Sequence, residues 1–428
     1  MKQLTIVGAG WAGLAAAVAA TQAGWQVTLF EAANIAGGRA RSLQQSFAGK
    51  PLDNGQHVLI GAYRDTLALM RTVGLNPYEL LQRLPLDLRF ADGQGLSLPN
   101  WPMPLNLLAG LGRAQGWQLK DKASLIQASW RWRLAKFECN TTWTVQQLCD
   151  EAHLSHRVIQ QLIEPLCLSA LNTPLKDASA TVFLRVLHDA LLGGKGSSDL
   201  LIPKVDLAQL LPDACLHWLN ANGATIHLGQ RINASALENL HQTSSLQQVV
   251  LLACPAWEAA RLTADIAPKW AYPCADLPHT AIATVYLNCK DSGYAGLPRP
   301  MMALHSDAQA PAQFVFDRGA LTKQPGLLAA VVSACNTERD EVVEQVHDQV
   351  CEQLELSNLE VVQTVVEKRA TLACTPMLNR PEPFIAQGLW ACGDYICGSY
   401  PSTLEGAVRS GQQVVTQLSQ MADRQRLG

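Results

Sequence analysis

The chain has 428 residues, 48% of them apolar and only 16% charged, with a net charge of −3. That much apolar surface excludes a disordered chain, because burial offsets the ordering entropy. The near-neutral balance excludes a nucleic-acid binder of the general electrostatic kind, and the length calls for two or three domains. The low charge leaves two readings: a large core, or an apolar surface for a partner, a membrane or a greasy ligand.

The first 30 residues contain an uncharged run from Gln3 to Phe30, long enough to span a bilayer. A more specific pattern sits inside it. Leu4 to Val7 reads as a strand, and Gly8, Gly10 and Gly13 follow at dinucleotide-loop spacing. Ala12 to Ala23 is alanine-rich and helix-prone, Gly24 ends it, and Val27 to Phe30 is a second strand. Gly8 permits the tight turn, Gly10 lets a pyrophosphate approach the helix N-terminus, and Gly13 lets helix and strand pack closely. Glu31, 18 residues after Gly13, stands where a carboxylate grips a ribose diol, which disfavours NADP. Gly37-Gly38-Arg39-Ala40-Arg41-Ser42 comes next, with Gly38 and Arg39 expected around the same pyrophosphate, a pattern of FAD rather than NAD.

Residues from about Leu96 to Lys195 read as mostly helical. Between Gln94 and Phe137 six basic residues (Arg113, Lys120, Lys122, Arg131, Arg133, Lys136) face one acid, Asp121, and interleave with Trp101, Trp117, Trp130 and Trp132. Trp101-Pro102-Met103-Pro104 precedes the apolar run Leu105 to Leu111. Basic residues beside aromatics suit an interfacial segment on anionic lipid, and equally a tryptophan-rich domain whose lysines are simply solvated. From Leu200 the pattern returns to α/β. A helix is expected from about Asp206 to Asn222, strands at Ala224 to Leu228, Gln248 to Ala253, His279 to Leu287, Gln313 to Phe316 and Gly326 to Ala334, and an amphipathic helix at Glu338 to Leu354. No second nucleotide fingerprint appears, so electrons are expected from an external donor.

Near the C-terminus, Leu389 to Cys392 reads as a strand running into Gly393-Asp394, whose acid suits a ribityl hydroxyl. Ser402-Thr403-Leu404-Glu405 has capping-box spacing and opens a helix from about Thr403 to Leu418. Its positive end, at Glu405, Gly406 and Ala407, is expected at the flavin. The twelve cysteines have no C-x-x-C pair, so reduced thiols, no metal site and a cytosolic setting are expected.

With these motifs in place, the chain resembles the FAD-dependent amine oxidase and carotenoid desaturase superfamily and, within it, the hydroxysqualene dehydroxylase family. The matching segments are GAGWAGLAAA, GGRARS, DNGQHVLIGAY, EPLCLSALNTP, SDLLIPKVDL and EKRATLACTP through EGAVRSG. The resemblance implies an α/β fold: a Rossmann-like FAD-binding domain from residues 1–95, 196–260 and 375–428, with an inserted α+β substrate domain from 96–195 and 261–374. It implies FAD as cofactor and reductive removal of the hydroxyl of hydroxysqualene, a C30 isoprenoid, to give squalene. Phytoene-type desaturation, amine oxidation and a non-enzymatic prenyl-protein escort remain as alternatives. One departure stands out: Ile396 occupies the place of a threonine common in the family. An allylic hydroxyl leaves poorly unless protonated, and Asp53 and His57 of DNGQH, then Glu164 and Asp206 in two other matching segments, are the candidate acids. Tyr400 is a candidate wall residue.

Overall fold

A computed structural model describes residues 2–101, 105–245 and 247–427, with side chains to 424. Pro102, Met103 and Pro104 of the interfacial candidate lie outside them. Strand β1 (Gln3–Val7), helix α1 (Trp11–Gln22) and strand β2 (Gln26–Phe30) form a parallel βαβ unit, so the uncharged start is a nucleotide-fold opening. No described helix is long and apolar enough to cross a membrane. The first sheet has six strands in the order Thr225–His227, β2, β1, Gln248–Leu252, Leu389–Ala391 and Phe384–Ala386, all parallel except the last. Alanines make α1 thin enough to be buried along most of its length. The C-terminal helix Leu404–Leu427 crosses it so closely that a Cβ on Gly411 would stand 2.3 Å from the Ala12 carbonyl oxygen.

A second sheet is antiparallel, in the order Met301–Ala303, Phe314–Asp317, Leu327–Ser333, His279–Cys289 and Leu359–Leu372. Alternation sorts its residues. Ala283, Val285 and Leu287 pack under helix Arg339–Leu354, through Val342, Val346 and Val350. Tyr286, Phe314, Phe316 and Ala329 face a helical layer that includes Phe183 and Leu184.

Several boundaries differ from expectation. The predicted helix 206–222 is two, Leu207–Leu210 and Pro212–Ala221, because Pro212 starts a new helix after Leu211 leaves helical geometry. The last helix runs on to Leu427. Helix Pro268–Ala275, expected in the substrate unit, packs beside the first sheet, where Ala271 and Cys274 join Val250 and Leu252. Leu88 and Phe90, expected with the nucleotide unit, join the helical core instead.

Candidate active site

Both sheets and the helical layer wall a cleft of about 720 Å³. Its nucleotide end is built at α1. The first intrahelical bond runs from the Leu14 N–H to the Gly10 carbonyl, so the N–H groups of the preceding turn have no partner within the helix. Gly10 bridges to Gly37, and a Cβ on Gly10 would meet nothing nearer than the Gly38 Cα at 3.8 Å. A side chain there would project into the cleft, so the open face of Gly10 is a cradle of the kind a pyrophosphate needs. Gly8, Gly38 and Arg39 line the same wall. Gly13 does not; its Cβ would stand 1.9 Å from the Gly8 carbonyl oxygen, and its role is the close packing of helix on turn.

Glu31 lines the cleft at the end of β2, and its carboxylate accepts from the Ala9 and Ala33 N–H groups at 2.7 and 2.9 Å. Arg39 donates to the Asp394 carboxylate at 2.5 Å and to the Ala370 carbonyl at 2.7 Å, tying the two ends of the chain together at the cleft wall. Gly393 and Asp394 line the cleft, as do Thr403, Leu404 and Ala407 at the start of the last helix. Glu405 turns away. It accepts from the Asp65 and Thr66 N–H groups and the Thr66 hydroxyl at 3.1, 2.9 and 2.7 Å, capping helix Arg64–Thr72. Burial pushes its carboxyl up, and those hydrogen bonds pull it back. Gly406 packs on the Tyr400 carbonyl, which a Cβ would approach to 1.8 Å. The expected capping box is displaced by one residue: Ser402 has φ +56° and accepts from the Leu372 N–H, while the Thr403 hydroxyl accepts from Gly406. Ile396 is buried among Leu389, Tyr395 and other apolar side chains. The open glycine wall, the Glu31 carboxylate and the Arg39 guanidinium together fit FAD.

Of the four candidate acids, only His57 lines the cleft. Its Nδ1 lies 3.1 Å from the Gly55 carbonyl oxygen, which makes Nδ1 the protonated nitrogen and leaves Nε2 free as an acceptor. Burial, aided by the Arg39 charge, lowers its pKa. Asp53 is fully committed elsewhere. It pairs with Arg318 at 3.0 Å, both side chains buried, and accepts from the Leu207 N–H at 2.9 Å and the Ser42 hydroxyl at 3.2 Å. Burial pushes its carboxyl up, and Arg318 opposes that. Asp206 caps helix Leu207–Leu210 and accepts from Ser42. Glu164 opens helix Glu164–Leu171 after a π-helical turn, outside the cleft wall, and burial raises its carboxyl. Tyr400 is also outside that wall and donates to Asp189.

Sequence reading missed other wall residues. Asn172 is left-handed at φ +46° and joins the helix end to the second sheet through Thr280 and Thr371, at 3.0 and 2.9 Å. Thr284 and Glu367 line the cleft from that sheet. Glu367 opens one of the matching segments, which was its only signal; Thr284 had none beyond strand periodicity.

Comparison with known proteins defines the class. The flavin-containing amine oxidoreductase family profile matches residues 11–419, and the chain belongs to this family. An oxidoreductase of Methanosarcina mazei of known structure superposes with a TM-score of 0.66 at 17% identity, covering 97% of this chain and 100% of that one, a likeness of fold. More specifically, the chain is similar to the hydroxysqualene dehydroxylase of Zymomonas mobilis, 28% identical over 96% of this chain and 98% of that protein. A zeta-carotene desaturase of Synechocystis is 40% identical, but over only 17% of this chain and 14% of the desaturase.

Proposed function

We propose that this chain is a FAD-dependent hydroxysqualene dehydroxylase, which removes the hydroxyl of hydroxysqualene reductively to give squalene for hopanoid synthesis. The observation that carries the reading is similarity to an enzyme of that name along 96% of the chain, against 17% for the desaturase. When bound and reduced, FAD supplies the hydride that replaces the leaving hydroxyl. The chain supplies the setting. Gly8, Gly10 and Gly38 present backbone to the pyrophosphate, Arg39 offers a counter-charge, and Glu31 accepts from the ribose. Asp394, held by Arg39, accepts from the ribityl chain. Val58, Leu168, Ala170, Ile282 and Val365 keep water from the reacting carbon. The hydroxyl takes up a proton from solvent and leaves as water, to which neutral His57 offers Nε2 as acceptor. Anaerobic incubation of the dithionite-reduced protein with hydroxysqualene and with phytoene tests this; squalene from the alcohol is expected. Desaturation of phytoene by oxidised protein would replace the reading with a carotenoid desaturase. Peroxide release from an amine would make it an amine oxidase, and prenyl-protein capture without redox change an escort.

We further propose a peripheral site on the cytoplasmic face of an anionic membrane, the phase in which an isoprenoid alcohol dissolves. Helix Leu119–Leu134 has two apolar faces. Leu125, Ala128 and Trp132 are buried, whereas Leu119, Ile126, Trp130 and Leu134, spaced by seven, four and four, are exposed along the other side. Leu105, Leu108 and Trp101 are exposed nearby in the chain, with Arg113 stacked over Trp101. Trp117 and Trp132, by contrast, are core residues. Lys120, Lys122, Arg131, Arg133 and Lys136 accompany the exposed stripe, the charge that anionic lipid complements. In sedimentation with phosphatidylglycerol vesicles, Arg131→Gln with Arg133→Gln should lower partitioning by more than about tenfold at low salt, at roughly 1 kcal/mol per charge. Unchanged partitioning would remove the membrane from the account.

A further inference from the structure

The second sheet turns a small polar tile toward the cleft, apart from the glycine and carboxylate motifs of its nucleotide end. In its register Ile282 lies opposite Glu367 and Thr284 opposite Val365, while Ser333 flanks Ile282 on the other side. Residues directly opposite share a face, and all five line the cleft. Thr284 and Glu367 thus sit diagonally across the apolar pair Ile282 and Val365. Thr284 is 1% exposed, yet among the described residues its hydroxyl has no hydrogen-bond partner. A buried, unpartnered hydroxyl is costly, and on the wall of a cleft a ligand atom can complete its bond.

Glu367 differs from the other carboxylates of the cleft. Asp394 is paired with Arg39, Glu258 with Arg231 and Arg261, and Glu31 holds two backbone N–H groups. Among the described residues Glu367 has one hydrogen-bond partner, the Asn54 amide at 3.3 Å. Asn54 and Gly55 bring the loop that carries His57 against this tile, since a Cβ on Gly55 would stand 3.5 Å from the Thr284 hydroxyl oxygen.

We propose that Thr284 and Glu367 form the subsite that receives the alcohol group of an isoprenoid alcohol, Thr284 donating to its oxygen and the Glu367 carboxylate accepting from its O–H. This rests on the reading of the protein as an enzyme of such alcohols. The subsite recognises and orients; it distinguishes the alcohol substrate from the hydrocarbon product, which presents nothing to either group and is therefore released.

Binding without turnover tests it. Oxidised, flavin-loaded protein is titrated with hydroxysqualene and with squalene, following the perturbation of the flavin spectrum. The wild type should bind the alcohol at least about tenfold more tightly than the hydrocarbon. Thr284→Val and Glu367→Gln should each bring the ratio towards one while keeping flavin content and squalene affinity. A wild type with no preference for the alcohol would overturn the enzyme reading. A wild type with the preference, and variants that retain it, would overturn the subsite alone. Variants that lose flavin instead would assign the tile to the cofactor and overturn it as well.

Discussion

Asp53 shows how a residue in the right segment can serve a different end. Its carboxylate and the Arg318 guanidinium are both buried, at 2% and 1% side-chain exposure, and Arg318 also donates to Gln56 at 3.2 Å. The pair therefore anchors the loop that carries His57, and the acid expected at the reacting carbon is a structural post behind it. Removing one partner leaves an uncompensated buried charge. Arg318→Met should destabilise the protein by about 3–5 kcal/mol, and adding Asp53→Asn should recover part of that loss, measured by chemical denaturation. Equal and additive losses would show that the two groups are not coupled. His57 makes a pH prediction. Its folded pKa lies below the unfolded value, so the unfolded chain takes up the proton first as pH falls, and stability is lost below about pH 6.5. His57→Gln should lose less thermal stability than the wild type between about pH 8 and about pH 5.5; an equal loss in both would contradict this.

At the scale of the element, β1, α1 and β2 were legible because each residue type has one physical use there. Two glycines of the same motif nonetheless do different work. A Cβ at Gly10 meets only open cleft, whereas at Gly13 it meets the Gly8 carbonyl at 1.9 Å. Gly10→Ala should fold with nearly unchanged stability yet retain flavin at least about tenfold more weakly, whereas Gly13→Ala should fail to accumulate as folded protein. Flavin content per folded protein separates the two. The last helix was less legible. Ser402, Thr403 and Glu405 fit a capping box by spacing, but Glu405 is claimed by the helix at Arg64, more than 300 positions away in the chain, and the cap passes to Thr403. Local pattern cannot register a competitor so distant. Pro212 is the opposite case: the break it makes after Leu211 was available in the sequence and outweighed there by apolar periodicity.

For the whole molecule, the excess of apolar residues over charge has three outlets. Alanine-rich α1 packs under the C-terminal helix, the two faces of the second sheet are both covered, and helix Leu119–Leu134 keeps an apolar stripe in the open. The nucleotide end of the cleft could be read in advance because its motifs are contiguous. The other end could not, because Thr284, Glu367 and Asn172 meet only through strand register and a helix terminus. The central claim is reductive loss of a hydroxyl in this cleft. Its most direct measurement is a single turnover of anaerobically reduced protein mixed with hydroxysqualene, with flavin oxidation and squalene quantified together. One squalene formed per flavin reoxidised is the expected result. Flavin that stays reduced while the alcohol is recovered intact would contradict the account.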